Sequence, residues 1–220
     1  MGYLLIFLSN ALLSALSITN LGLISSMVGF LHHEKDHVGT YRVDWPDNTV
    51  HLKVLPEHLW VDQGHTSNGV AGYGFFLGLF GLYVAWRQKK RQGNKPSQTL
   101  SALCILLFLA VLFTLSAIIF VYLVTYQTDG QQISPAVAQS DVAYPADKWT
   151  PETWFLSVLD LPLADPAQRH NIHCKVVNMK VWRWMLLPIF AVDVLAFAFS
   201  TVELIKQRKG MRQPPFKFEN

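Results

Sequence analysis

The sequence predicts an all-α membrane protein: a four-helix transmembrane bundle with a small β-hairpin and a short amphipathic helix in its two extracytoplasmic loops. Three observations lead to this prediction. Only 15% of the 220 residues are charged, whereas a soluble domain normally carries about 25%. Four apolar stretches each reach the roughly 20 residues that a helix needs to cross a hydrocarbon core. Basic residues cluster on one side of these stretches, which sets their direction.

The four predicted spans cover residues 3–31, 69–86, 99–126 and 181–205. Their lengths suit helices rather than barrel strands, because in lipid each backbone amide needs a partner within its own segment. The first stretch could also be a signal peptide. It has no basic n-region and exceeds the usual run of about 7–15 apolar residues, so it is predicted to be a retained anchor. The chain, residues 1–220, is expected to form a single membrane domain.

The distribution of charge orients the spans. The connection over residues 87–98 holds five cations and no acid, and the tail over residues 206–220 holds five more cations. By the positive-inside rule both segments, and both termini, are predicted to be cytoplasmic. The first loop (residues 32–68) and the second loop (residues 127–180) then share the opposite face, and they hold 12 of the 15 acids and all eight histidines. The pattern predicts a multi-pass integral membrane protein and leaves open whether the membrane is the plasma membrane or an internal one.

The first loop contains a predicted β-hairpin. Its strands are Tyr41–Trp45 and Thr49–Val54, which both alternate apolar with polar residues, and Pro46–Asn48 has the composition of a turn. Because a two-stranded hairpin is only marginally stable alone, it is expected to pack on another segment. The candidates are an extended piece at residues 59–61 and the second loop.

The second loop contains the start signals of a helix. Thr150 is a suitable N-cap, Pro151 suits the first helical position, and Glu152 suits the positive end of the helix dipole. Apolar residues at one-face spacing predict a short amphipathic helix over Pro151–Leu161, which Pro162 ends. This helix is expected to lie on the membrane or on the hairpin.

Asp193 and Asn20 are the two candidate polar sites predicted within the spans. Asp193 falls near the bilayer midplane, where burial of a charged carboxylate costs about 2.5–3.5 kcal/mol on insertion scales. Spans one to three contain no Lys or Arg, so its partner should be water or a neutral group. The neutral candidates are Asn10, Asn20, Thr114 and Ser116. The functional interpretation is a proton or cation site, and the favoured structural one is a hydrogen bond between helices.

Histidines and a cysteine suggest a metal site. His33 and His37 lie one turn apart if the first helix continues, and His170, His173 and Cys174 form a second cluster. Their ligand types favour copper or zinc. The alternative, which we favour, is that they are ordinary polar residues of interfacial loops. No histidine falls within a span, which argues against a haem held between helices.

The second span carries a small-xxx-small pattern. Gly74 and Gly78 lie one turn apart and would let another helix approach closely, either the first span or a second protein. No nucleotide-binding glycine motif or nucleophile elbow occurs. No catalytic or cofactor-binding residue is therefore assigned, and no nucleic-acid partner is expected.

Two resemblances follow from this pattern. A β-bearing first loop, a short cytoplasmic turn and a second outer loop are similar in topology to the claudin-like superfamily, but the G-L-W and paired-cysteine signature is missing from the first loop. The stretch Thr150–Trp154, followed by Cys174 and by Arg183–Ile189, resembles a pattern of uncharacterised four-span membrane proteins of filamentous fungi. These resemblances imply a four-span architecture and no reaction.

The sequence thus favours a non-enzymatic protein in the lipid bilayer whose extracytoplasmic loops bind a membrane-protein partner or a second copy of the chain. One alternative is a copper- or zinc-binding oxidoreductase subunit or carrier. Another is a proton-coupled transporter or channel that uses Asp193.

Overall fold

The computed structural model of the chain is mostly helical and contains one two-stranded sheet. It describes residues 2–46, 48–90, 97–140, 144 and 148–210. Parts of the predicted basic connection, the basic tail and the hairpin turn lie outside the described residues: residues 91–96, residues 211–220 and Asp47.

Four long helices dominate the fold. Each is long and apolar enough to cross a membrane, by its length and composition. They are α1 (Gly2–His33), α2 (Asp62–Lys89), α3 (Gln98–Thr128) and α6 (Pro166–Gly210). The predicted helical class is therefore confirmed, and the four helices fit a multi-pass integral membrane protein.

The helices extend beyond the apolar stretches from which the spans were predicted. Helix α6 begins at Pro166, well before residue 181, and Pro166 is suited to a first helical position. The Asp165 side chain caps the new end, because its Oδ1 accepts a hydrogen bond from the Ala167 amide at 2.8 Å. Apolar runs mark where lipid can surround a helix, whereas capping groups decide where the helix starts. The second predicted loop is thus helical in its last part.

A hairpin follows the first helix. One π-helical turn, Glu34–Val38, ends at Gly39, whose φ of 71° favours glycine. Strand β1 (Thr40–Trp45) then pairs antiparallel with β2 (Asn48–Lys53), with Val43 opposite Val50. The strands alternate exposed and buried residues, so one face of the hairpin is packed and the other is open.

Two short helices lie in the second loop. They are α4 (Pro135–Ala138) and α5 (Pro151–Leu159). At the start of α5 the Thr150 hydroxyl accepts a hydrogen bond from the Thr153 amide at 3.2 Å, and the Thr153 hydroxyl accepts one from the Thr150 amide at 3.2 Å. This reciprocal cap satisfies two amides that a helix start would otherwise leave unbonded.

The chain divides into two compact units. The loop unit consists of the described residues of Asn20–Asn68 and Ala117–Leu186. The helical unit consists of the described residues of Met1–Thr19, Gly69–Ser116 and Leu187–Asn220. The hairpin, α4 and α5 belong to the loop unit, and each long helix contributes residues to both units.

Candidate functional site

Within the loop unit, the segment that follows α5 is hydrogen-bonded to the hairpin. The Asp44 amide donates to the Pro162 carbonyl at 2.9 Å, and the Ala164 amide donates to the Arg42 carbonyl at 2.9 Å. Val43 and Leu163 form an antiparallel bridge between these two bonds. A segment of the second loop therefore lies along the open edge of β1, where the backbone groups would otherwise lack partners.

A second set of backbone bonds joins the two loops. The Trp60 amide donates to the Trp149 carbonyl at 2.6 Å, and the Glu57 amide donates to the Tyr144 carbonyl at 3.0 Å. Leu59 and Trp149 form a parallel bridge at the same place. These bonds tie the segment after the hairpin to the segment before α5.

Three aromatic rings fill the space next to these bonds. The centroids of Trp149 and Trp154 are 5.4 Å apart, and Tyr144 lies 5.8 Å from Trp149 and 5.7 Å from Trp154. Trp154 is fully buried, and its indole N–H donates to the Val54 carbonyl at 2.8 Å. This cluster is a packed aromatic core formed by the second loop, and the bond to Val54 attaches it to the first loop.

A buried carboxyl group lies at the start of the hairpin. Glu34 is 2% exposed, and its Oε2 accepts a hydrogen bond from the Tyr41 hydroxyl at 2.8 Å. Burial raises the pKa of the Tyr41 phenol far above its ordinary value, and the neighbouring Glu34 carboxyl raises it further. The phenol is therefore held in its neutral, donating form.

An ion pair links α5 to α6. The Glu152 carboxylate lies 3.2 Å from the Arg183 guanidinium, and the two side chains are 5% and 15% exposed. Burial raises the pKa of Glu152, and the charges of Arg183 and Lys180 act in the opposite direction. The Arg183 guanidinium also lies 5.6 Å from the centroid of the Tyr122 ring, within the range of a cation–π contact.

The ion pair borders a cavity of about 310 Å³. Charged side chains of both signs line this cavity, together with tyrosine and threonine hydroxyls. The charged residues are Asp129, Glu152, Lys180 and Arg183. The cavity therefore combines a mostly apolar surface with charged groups of both signs.

The structure places the five candidate metal ligands in two separate pairs and one single residue. The rings of His33 and His37 stack with their centroids 4.9 Å apart. On α6, His170 Nε2 lies 3.6 Å from Cys174 Sγ, and His173 is exposed. Within the described ranges, no group of three or more His, Cys, Asp or Glu side chains could share one metal ion.

The two predicted intramembrane polar residues are both buried. Asp193, 1% exposed, accepts a hydrogen bond from the Thr114 hydroxyl at 2.7 Å within the helical unit. Its second oxygen, Oδ1, has no hydrogen-bond partner among the residues that the structure describes. Asn20 of the loop unit is fully buried, and neither polar atom of its side chain is bonded to a described residue.

Glycines of α2 lie against α1 within the helical unit. A Cβ added at Gly78 would lie 2.7 Å from the backbone oxygen of Asn10, which is closer than real Cβ contacts come. A Cβ at Gly74 would meet the Ser17 hydroxyl, and one at Gly81 would meet the Asn10 side chain. The two helices approach at these positions to a distance that only glycine allows.

Sequence reasoning missed the Glu152–Arg183 pair. The sequence position of Glu152 indicates only a favourable charge at a helix start. The signal for an acidic partner is Arg183. It lies inside the predicted fourth span, where a cation without a partner is costly.

Comparison with protein-family models, with curated proteins and with solved structures found no match for this chain.

Proposed function

We propose that this chain is a non-enzymatic integral membrane protein that binds an acidic protein partner through the extracytoplasmic face of its loop unit. The observation that carries the proposal is the set of backbone bonds between the two loops. Asp44 bonds to Pro162 and Trp60 bonds to Trp149, so both loops belong to one packed unit. A rigid folded scaffold on a membrane protein suits recognition, because little conformational entropy is lost when it binds.

The open face of the hairpin supplies the proposed contact surface. Its exposed side chains include Arg42 on β1, and His51 and Lys53 on β2. The acid on the same face, Asp44, is already bonded to the Thr49 hydroxyl at 2.9 Å and to Arg42 at 3.1 Å. These bonds lower the pKa of Asp44. Arg42 and Asp44 offset each other's charge, so the charge that remains on this face is that of exposed Lys53, which favours an acidic surface.

The partner is tested by cross-linking in the native membrane, followed by purification in mild detergent. The wild-type chain should give one discrete cross-linked product. The double variant His51→Glu/Lys53→Glu should lose it, because the face then repels an acidic partner while the Arg42–Asp44 pair is left in place. Lys35→Glu, a reversal at another exposed lysine of the loop unit, is the control and should keep the product. Equal yields from all three proteins would contradict the proposal.

The proposed topology is tested separately with single cysteines. Lys53→Cys and Lys90→Cys are labelled in sealed vesicles with a membrane-impermeant thiol reagent, in a Cys174→Ser background because Cys174 is exposed. The two positions should react from opposite sides. Reaction of both from one side would place the hairpin and the basic connection in the same compartment, contrary to the proposal.

A second candidate function, proton-coupled transport, rests on one observation. Asp193 is buried in the helical unit and has one oxygen bonded to Thr114 and one without a described partner. Asp193→Asn keeps an oxygen that can accept from Thr114 but cannot carry a proton. If the residue moves protons, a pH-sensitive dye in proteoliposomes should report flux for the wild type and none for the variant. Equal signals from the two proteins would remove this candidate.

A further inference from the structure

The loop unit contains a second, mostly apolar cavity of about 190 Å³. Residues of α1, α2, α5 and α6 line it. Its surface is mostly apolar, and the aliphatic and thioether side chains of its wall include Ile24, Met27, Val28 and Leu31 of α1, and Met179 of α6. For comparison, an engineered cavity of about 150 Å³ holds a benzene molecule. The cavity therefore has room for one ring or a few methylene groups.

Two of the lining residues carry polar atoms without a hydrogen-bond partner among the described residues. One is Oε1 of Gln63, an acceptor on a side chain that is 3% exposed. The other is the indole N–H of Trp182, a donor on a side chain that is 5% exposed. A buried polar atom left unbonded costs about 1–3 kcal/mol. A ligand donor beside Gln63 and a ligand acceptor beside Trp182 would each remove that cost.

The charges around the cavity favour an uncharged ligand. The wall contains three ionisable residues: His32 and His65 are exposed, and the buried Glu152 carboxylate is already paired with Arg183. A cationic or anionic head would have to compete with that pair or be desolvated without a counter-charge, and both are costly. An uncharged hydroxyl group can supply both the donor for Gln63 and the acceptor for Trp182, because one hydroxyl both donates and accepts.

We propose that this cavity binds the hydroxyl end of an uncharged membrane lipid, with the hydroxyl accepting from Trp182 and donating to Gln63. The first ring or methylene groups of the lipid lie against Met27, Leu31 and Met179, and the rest of the lipid extends out of the cavity, which is partly open. This site shares no residue with the hairpin face of the proposed partner surface. The two proposals can therefore fail independently.

The chemistry is tested with two probes and their methyl ethers. Cholesterol presents a hydroxyl on a rigid ring, and 1-dodecanol presents one on a flexible chain. Each ether keeps the acceptor oxygen and loses the donor hydrogen. Binding to the purified full chain in mild detergent should be about tenfold tighter for the hydroxyl probe than for its ether, which corresponds to one lost hydrogen bond. The probe that binds identifies the source, a sterol or a long-chain alcohol.

Two variants assign the two hydrogen bonds. Gln63→Met removes the acceptor that receives the hydroxyl hydrogen, so it should abolish the preference for the hydroxyl over the ether. Trp182→Phe removes the indole N–H that both oxygens accept from, so it should weaken the alcohol and the ether alike by about tenfold. The different signatures of the two variants separate lost hydrogen bonds from a general loss of packing.

Matched controls come from two residues of the loop unit that do not line the cavity. Gln131 and Trp149 also carry buried polar atoms without a described partner. Gln131→Met and Trp149→Phe make the same chemical changes elsewhere, so both should bind the probes like the wild type. The proposal is overturned if neither probe binds the wild type. It is also overturned if hydroxyl and ether bind equally, or if the Gln131 and Trp149 variants lose binding as the cavity variants do.

Discussion

Glu152 on α5 and Arg183 on α6 form a largely buried ion pair, with 3.2 Å between the carboxylate oxygen and the guanidinium nitrogen. The pair connects the short helix of the second loop to a long helix that could cross a membrane. Because burial desolvates both charges, each group depends on the other far more than in an exposed pair.

Breaking this pair from one side should destabilise the protein more than removing it altogether. Arg183→Met leaves Glu152 as an unpaired buried acid and should lower the free energy of unfolding by about 3 kcal/mol. Glu152→Met should act similarly, and the double variant should lose less than either single one. Chemical unfolding in mild detergent measures these values. Lys206→Met, at an exposed lysine of the same helix that lies far along the chain from the pair, is the control and should change stability by about 0.5 kcal/mol or less. Additive losses in the double variant would contradict the coupling.

Close approach of α1 and α2 makes Gly78 intolerant of a side chain. In Gly78→Ala the new methyl group would press on the backbone oxygen of Asn10, and overpacking of this kind costs about 1–3 kcal/mol. Gly72→Ala is the matched control, because a Cβ there meets nothing within 4 Å. It should leave stability unchanged or raise it by up to about 1 kcal/mol through better helix propensity. Thermal unfolding in detergent compares the two variants. Equal melting temperatures would contradict the prediction that a side chain at Gly78 overpacks the contact between α1 and α2.

The buried phenol of Tyr41 should make the fold sensitive to alkali. A group whose pKa is raised in the folded state contributes stability below its unfolded pKa, about 10 for tyrosine, and loses it as the pH rises further. Above pH 10 the wild type should therefore lose stability more steeply than Tyr41→Phe, by up to about 1.4 kcal/mol per pH unit.

The slope is the quantity to compare, since Tyr41→Phe also removes the bond to Glu34 and lowers stability at every pH. Tyr126→Phe, at a tyrosine that is 82% exposed, is the control and should follow the wild type. Parallel curves for the wild type and Tyr41→Phe would refute the prediction.

Each paired set of candidate metal ligands should bind metal only weakly. A structural zinc site normally has four ligands, whereas His33 with His37 and His170 with Cys174 supply two each. Elemental analysis after metal-replete expression should find far less than one zinc or copper ion per chain, unchanged by His33→Ala or His170→Ala. A stoichiometric ion that either variant removes would establish the metal-dependent alternative.

Local patterns in the sequence were sufficient for the four long helices, the hairpin and α5, but not for α4. Apolar length marked the four long helices, alternation marked β1 and β2, and Thr150 with Pro151 marked the start of α5. Each of these signals acts over a few neighbouring residues, so it can be recognised without knowledge of the fold.

Contacts between distant residues could not be predicted in the same way. Gln63 and Trp182 carry no sequence signal for a shared cavity, because their juxtaposition depends on how α2 and α6 pack. The pairing of Tyr41 with Glu34 depends on the π-helical turn between them, which hydrophobic patterning does not encode. Helix ends beyond the lipid-compatible stretch depend on single capping groups such as Asp165.

The bond from Trp154 to Val54 also constrains how the protein can be made. Two long apolar helices separate the two residues along the chain, so a ribosome has to synthesise both helices before the hairpin meets its partner segment. Until then the backbone groups at the edge of β1 and the carbonyl of Val54 lack their native hydrogen bonds. Synthesis of α3 thus precedes completion of the packing of the first loop, and chains that terminate before Ala164 should lack part of these bonds.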